Sequence, residues 1–169
     1  MIIRIDTREQ APLVFSQWCP SLVGTVPFYD YALDGDQESF AVERKSLEDF
    51  IGSVVMQDRW QRELAKRARA REAGMTTVYY VLEAKFSELA TFDYARFSSG
   101  RVHLGLLYRR WRELAVHHDT HIVWAEDPAH AAHAVYLILK SRNEQIQKGK
   151  TQKEDKPCPT HTTNTDQVA

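Results

Sequence analysis

Apolar residues along this 169-residue chain recur first at a period of two and then in turn at periods near 3.6 and two, with few interruptions. MIIRID reads as a short buried strand, and the polar residues and proline of TREQAP end it, so Asp6 to Glu9 lie at a strand end. TVPFYDYALD and ESFAVERK are β-rich runs that meet across Asp34-Gly35-Asp36, and Asp-Gly between such runs predicts a hairpin over residues 25–45. Ser46, with Asp49 three residues on, has the spacing of a capping box in which Asp replaces Glu, so a helix starts at SLEDFIGSVV. DRWQRELAKRARAREA, residues 58–73, is rich in helix formers, sets Trp60, Leu64 and Ala68 at helical spacing and stops at Gly74.

TTVYYVLE is a further strand. The segment from Val102 to His118 is a helix with Leu104, Leu107, Trp111 and Leu114 on one stripe, and THIVWAE is a strand. Asp127-Pro128 opens a last helix that runs to about Arg142. Strands alternating with helices after an initial hairpin predict an α/β fold: a central sheet flanked by helices, mixed near one edge and parallel elsewhere. The length suits one domain, residues 1–142. Residues 143–169 hold almost nothing apolar to bury and are expected to form a disordered polar tail.

A net charge of -1 gives no global signature of nucleic-acid binding, so such a role needs a local basic surface. Cys19 and Cys158 lie too far apart for a disulfide framework or a C-x-x-C metal pair, which fits a reducing compartment. MIIRIDTREQ lacks the features of a signal peptide and no run has the length of a membrane span. The expectation is a soluble, cytoplasmic protein without a membrane partner, nucleoid-associated if bacterial or viral.

The hairpin carries the chemistry. Successive strand side chains face opposite ways, so Glu43 and Lys45 share one face and Val42 and Arg44 the other. With Gly35-Asp36 as the turn, Asp30 falls opposite Ala41; with Asp34-Gly35 it falls opposite Ser39. Either register puts Asp30 on the face of Glu43 and Lys45. Two carboxylates and an ammonium on one sheet face make a poor core and a good site for Mg²⁺, which keeps several waters and uses few protein carboxylates. Asp30 and Glu43 are candidate ligands, and a lysine beside the ion can hold the attacking water and the scissile phosphate. This is hydrolytic phosphodiester chemistry, although E-x-K on a hairpin is also a common solvated face with weak cross-strand ion pairs.

D-T-R-E at Asp6 to Glu9, an acidic residue before Tyr31, V-E-R-K-S-L-E-D-F-I-G-S from Val42 to Ser53, and D-R-W-Q-R-E-L after it stand in a telling order. Over residues 1–142 the chain resembles the nuclease domain of the XPF/Hef family of structure-specific endonucleases. The resemblance implies a restriction-endonuclease-like fold of the PD-(D/E)XK superfamily. It implies a Mg²⁺- or Mn²⁺-dependent endonuclease acting on branched, flapped or forked DNA in repair or recombination. It makes Asp30 and Glu43 metal ligands, Lys45 the water-positioning lysine, and Asp6 and Glu9 acidic groups beside the metal, with Asp6 a further ligand candidate. Arg8 and Arg44 would face phosphate or brace the site, and Asp49 would be the last acidic member of the motif as well as a helix cap. The chain departs from the family in two ways. Tyr29-Asp30-Tyr31 stands where the family shows Gly-Asp-Tyr, in a longer hairpin, which leaves Asp34 and Asp36 as alternative second ligands. Where eukaryotic and archaeal members append tandem helix-hairpin-helix modules that grip branched DNA, a polar tail follows here.

Arg59, Arg62, Lys66, Arg67, Arg69 and Arg71 concentrate positive charge on one helix; Arg101, Arg109, Arg110 and Arg112 concentrate more further on. Next to a site for a polyanion the first cluster reads as a phosphate-binding surface, with Arg59, Lys66 and Arg67 as its candidates, against a solvated face interrupted by Glu63 and Glu72. Arg59 is favoured because the resembled family has an arginine there. His117, His118, His121, His130 and His133 are too scattered for zinc, and Trp60, Trp111, Trp124 and Tyr79-Tyr80 read as core. Ala131, Ala132, Val135, Tyr136, Ile138 and Leu139 on the last helix suggest a homodimer, or a helix sandwiched between the sheet and the segment from Val102 to His118. Two functions compete with an active DNA nuclease: a catalytically silent DNA-binding subunit partnering one, and a nuclease acting on RNA. The intact set Asp6, Asp30, Glu43 and Lys45 argues against the first; nothing in the sequence bears on the second.

Overall fold

The structure, a computed structural model, describes residues 1–97 and 103–154. Ile3–Asp6 (β1) pairs in parallel with Ser21–Gly24 (β2) and antiparallel with Tyr31–Leu33 (β3). β3 pairs antiparallel with Phe40–Ser46 (β4), which runs parallel to Thr77–Glu83 (β5), itself parallel to Thr120–Trp124 (β6). The order across the sheet is β2-β1-β3-β4-β5-β6. The mixed sheet is as expected, but its antiparallel pairs lie in the interior around β3 and both edges are parallel. The edge strand β2 was not predicted: it is four residues long with Val23 exposed, so it has neither a buried run nor a clear alternating face.

Leu47–Val55 (α1) starts at Ser46, whose Oγ accepts from the Asp49 N–H at 3.1 Å and donates to the Asp49 carboxylate at 2.8 Å. Gln57–Glu72 (α2) follows and ends before Gly74, whose φ of +103° is open to glycine without strain. Glu88–Thr91 (α3) and a 3₁₀ turn at Tyr94–Phe97 lead towards Leu104–His118 (α4), and Pro128–Glu154 forms α5. Arg101, the expected helix start at Val102 and the segment 155–169 with Cys158 lie outside the described residues.

The helices divide between the two sheet faces. Phe50, Ile51, Trp60, Leu107 and Leu114 from α1, α2 and α4 bury against Ala41, Tyr80 and Leu82. On the other face Ala131, Ala132, Val135 and Leu139 of α5 bury against Ile3, Ile5, Val42 and Val81. α5 is therefore not sandwiched between the sheet and α4, and most of the apolar residues read as a dimer surface are buried inside the chain. α5 also continues to Glu154 instead of ending near Arg142. Arg142 bonds Asp36 through two N–H groups at 2.7 and 3.0 Å and Ile146 packs against the α5-side core, tertiary interactions that a polar segment does not announce. No helix among the described residues is long and apolar enough to cross a membrane.

Candidate active site

Tyr31 of β3 stands opposite Val42 of β4, so the same register sets Asp30 opposite Glu43. The Asp30 N–H donates to the Val42 carbonyl at 3.1 Å and the Arg44 N–H donates to Asp30 Oδ2 at 2.8 Å. Neither expected register, with Ala41 or Ser39, is correct, because residues 34–39 form a wider loop instead of a two-residue turn. In it the N–H groups of Ser39 and Phe40 both donate to the Asp36 carbonyl. The offset is nevertheless an even number of residues, so Asp30 stays on the face of Glu43 and Lys45. Asp34 and Asp36 are excluded as second ligands of that pair: they lie at the far end of the hairpin, Asp34 bonded to Arg4 and Asp36 to Arg142.

Glu43 is 8% exposed, and its Oε1 lies 3.0 Å from Lys45 Nζ and 3.0 Å from Lys66 Nζ. Burial alone would raise its pKa, but Lys66 and then Lys45 hold it below the usual carboxylate range. Asp30 moves the other way: burial first and the charge on Glu43 second push it up to about 7. Burial disfavours the charge on Lys45, but Glu43, Glu63 and Asp30 outweigh it and raise the ammonium's pKa. The Lys45 Nζ also lies 5.4 Å from the centre of the Tyr80 ring.

Asp6 is placed beside this pair, since its N–H donates to the Asp30 carbonyl at 2.8 Å, but its carboxylate is already engaged. Oδ1 accepts from the backbone N–H and Nε of Arg8 at 2.8 and 2.6 Å, and Oδ2 accepts from the Val26 N–H at 2.8 Å. Burial raises its pKa, and these bonds from Arg8 and Val26 more than reverse that. Asp6 thus ties β1 to the loop before β3. Its partner Arg8 is the exposed member, with its Nη2 donating to the Val26 carbonyl. Arg44, on the opposite face of β4, is a brace: two bonds at 2.7 and 3.0 Å join it to Glu83, and it reaches the Ala11 carbonyl and Glu9. Asp49 closes the α1 cap and also lines the groove described next.

α2 lies over the site. Its buried stripe is not Trp60, Leu64 and Ala68 but Trp60, Glu63, Arg67 and Ala70, because the helix covers a polar part of the sheet. Glu63 accepts from the Tyr80 hydroxyl, and the Arg67 guanidinium sits between the Tyr29 and Tyr80 rings, 5.4 and 4.9 Å from their centres. At 4% exposure Arg67 is withheld from any phosphate backbone, which corrects its expected role. Lys66, expected beside phosphate, is bonded to Glu43. Arg59, Arg62 and Arg69 are exposed and, with Lys45, Lys66 and Asp49, line an open groove of about 1040 Å³. The Arg59 guanidinium lies over Gly52, where a Cβ would come within 2.8 Å of its Nη1. Glu63 and the counter-charging role of Lys66 were missed from sequence; their three-residue helical spacing was the available signal.

Among the described residues no three His, Cys, Asp or Glu side chains converge into a group that could hold a metal, and the histidines stay dispersed. Asp30 and Glu43 form a two-carboxylate pair. Hard oxygen donors, and an Asp30 whose charge is held back by burial and by Glu43, fit Mg²⁺ or Mn²⁺, ions that use few protein carboxylates and keep several waters.

The ERCC4 domain model matches residues 5–138. Two solved structures of XPF from Aeropyrum pernix share the fold. The one in complex with DNA is 21% identical with a TM-score of 0.64, covering 85% of this chain and 66% of that one. The other is 21% identical with a TM-score of 0.62, covering 86% and 68%. The chain thus spans about two thirds of the solved chains it matches. No curated protein matches it.

Proposed function

This chain belongs to the ERCC4 domain family, and on that premise we propose that it is a metal-dependent DNA endonuclease acting on branched, flapped or forked DNA. The observation that carries the reading is Asp30 facing Glu43 across β3 and β4, with Lys45 on the same face and bonded to Glu43. Asp30 and Glu43 would hold Mg²⁺ or Mn²⁺, which supplies an acidified water and offsets charge building on phosphorus. Lys45, fixed by β4 and by the Tyr80 ring, orients the attacking water and the scissile phosphate. Asp6 and Arg8 hold the loop that carries Asp30, and Arg44 with Glu83 and Glu9 holds β4 from behind. Arg59, Arg62 and Arg69 take the backbone phosphates of the flanking duplex in the groove beside Lys45.

A silent binding subunit has no use for a buried carboxylate pair whose charge repels the strand it binds. Self-association remains part of the proposal through the outer side of α5, where Trp18 stacks on His133 and Tyr136 and Leu137 is exposed. A second subunit there would hold another arm of a branched substrate. The test is cleavage of labelled linear, flap, fork, bubble and single-stranded DNAs and of RNA, with Mg²⁺, Mn²⁺ or EDTA. Metal-dependent cleavage at branch points is expected. Binding without cleavage would favour the silent subunit, and preferential cutting of RNA would reassign the substrate.

A further inference from the structure

Lys66 reaches from α2 to a charge that Lys45 already answers. Both ammonium groups lie 3.0 Å from the same Glu43 oxygen. Lys45 is anchored in β4, with its side chain 13% exposed. The Lys66 side chain is 23% exposed, opens on the basic groove and has other places to rest: Glu63 lies 3.9 Å from its Nζ and the centre of the Tyr29 ring 4.7 Å. An ammonium group and a divalent cation held by one carboxylate repel each other, so metal entry favours release of the less anchored of the two lysines. Lys66 is the freer.

We propose that Lys66 is a resident counter-ion: in the metal-free protein it occupies the Glu43 oxygen that the divalent cation takes, and on metal entry it turns along the groove to the DNA backbone. The inference rests on Glu43 as a metal ligand and adds a linkage between metal and DNA. A phosphate that draws Lys66 away from Glu43 tightens metal binding, and by reciprocity the metal tightens DNA binding by the same factor. Lys66 thereby adds a second counter-charge, beside that of Lys45, to a buried carboxylate that Asp30 repels before loading.

The test is Mn²⁺ binding to the free protein, read from the spectrum of unbound Mn²⁺, for wild type, Lys66→Met, Lys66→Gln, Lys66→Arg and Glu43→Gln. Removing a charge-assisted competitor should tighten Mn²⁺ by about tenfold in Lys66→Met and Lys66→Gln. Lys66→Arg should stay near wild type because the competing charge remains. A cleavage-resistant phosphorothioate duplex should raise the wild-type affinity for Mn²⁺ more than that of the two neutral variants. If neither neutral variant tightens binding while Glu43→Gln loses it, the counter-ion role is overturned and the metal site stands. If Glu43→Gln binds Mn²⁺ as wild type does, the metal assignment itself fails.

Discussion

Asp30 should destabilise the metal-free protein at neutral pH, and Asp30→Asn should relieve the cost. Burial and then Glu43 raise its carboxyl from 3.8 to about 7. Between those values the folded chain binds more protons than the unfolded chain, so stability falls as pH rises through the window and is lowest above it. At 1.36 kcal/mol per pH unit the gap amounts to about 4 kcal/mol. Because Asp30 and Glu43 titrate as a pair, part of the cost belongs to both, and about 2–4 kcal/mol is the expected gain. Asparagine keeps the shape and an oxygen for the Arg44 N–H while removing the charge. Unfolding of both proteins in EDTA should show this gain at pH 8, roughly 4–16 °C in Tm, shrinking towards zero at pH 4. Added Mg²⁺ should raise Tm of the wild type and leave that of the variant unmoved. A gain equal at pH 4 and pH 8 would refute the electrostatic origin, and no gain at either would refute the burial cost itself.

Asp30→Asn and Glu43→Gln should each lower DNA cleavage by two or more orders of magnitude while both proteins melt cooperatively; near-normal rates in both would remove them from the site. Charge reversal at Arg59 and Arg69, two of the exposed arginines of the groove, should weaken binding to every DNA sequence and flatten the slope of log affinity against log salt by about 0.9 for each phosphate no longer neutralised, whereas an unchanged slope would assign them to solvation. Light scattering at micromolar concentration should show a mass above 19.5 kDa that rises with concentration if α5 pairs two chains; a constant monomer mass with and without DNA would rule the pairing out.

The elements that could be read from sequence are those whose local signal agrees with their tertiary setting. The Ser46 cap, the stop at Gly74 and the strand TTVYYVLE are of this kind. The shared face of Asp30, Glu43 and Lys45 was legible for a stronger reason: parity survives any even error of register, so the shared face emerged although the pairing did not. What failed depended on distant partners. Arg67 has the composition of a solvated helix face and is buried only because two tyrosines from the sheet receive it. Asp6 reads as an acidic group beside the metal, and its engagement by the Val26 N–H twenty residues on, as well as by Arg8, has no signal in the sequence. β2 and the last turns of α5 exist through pairing with β1 and through Arg142 and Ile146.

One reversal in the sheet explains where the site falls. Among the described residues six strands form the sheet, and of these β3 alone runs against the others. The C-terminal ends of β1, β4 and β5 carry Asp6, Glu43 with Lys45, and Glu83, the edge at which parallel sheets collect their functional groups. A reversed neighbour brings its own beginning to that edge, so Asp30 arrives opposite Glu43 after one short loop, with no crossover helix between them. The arrangement is sensitive to register: a slip of one residue would turn Asp30 towards the apolar face covered by α5. Such a slip would have to break the pairs of Asp34 with Arg4 and of Asp36 with Arg142 at the other end of the hairpin. The two aspartates that resemble spare ligands in the sequence therefore serve the site from a distance, by opposing the slip that would separate Asp30 from Glu43.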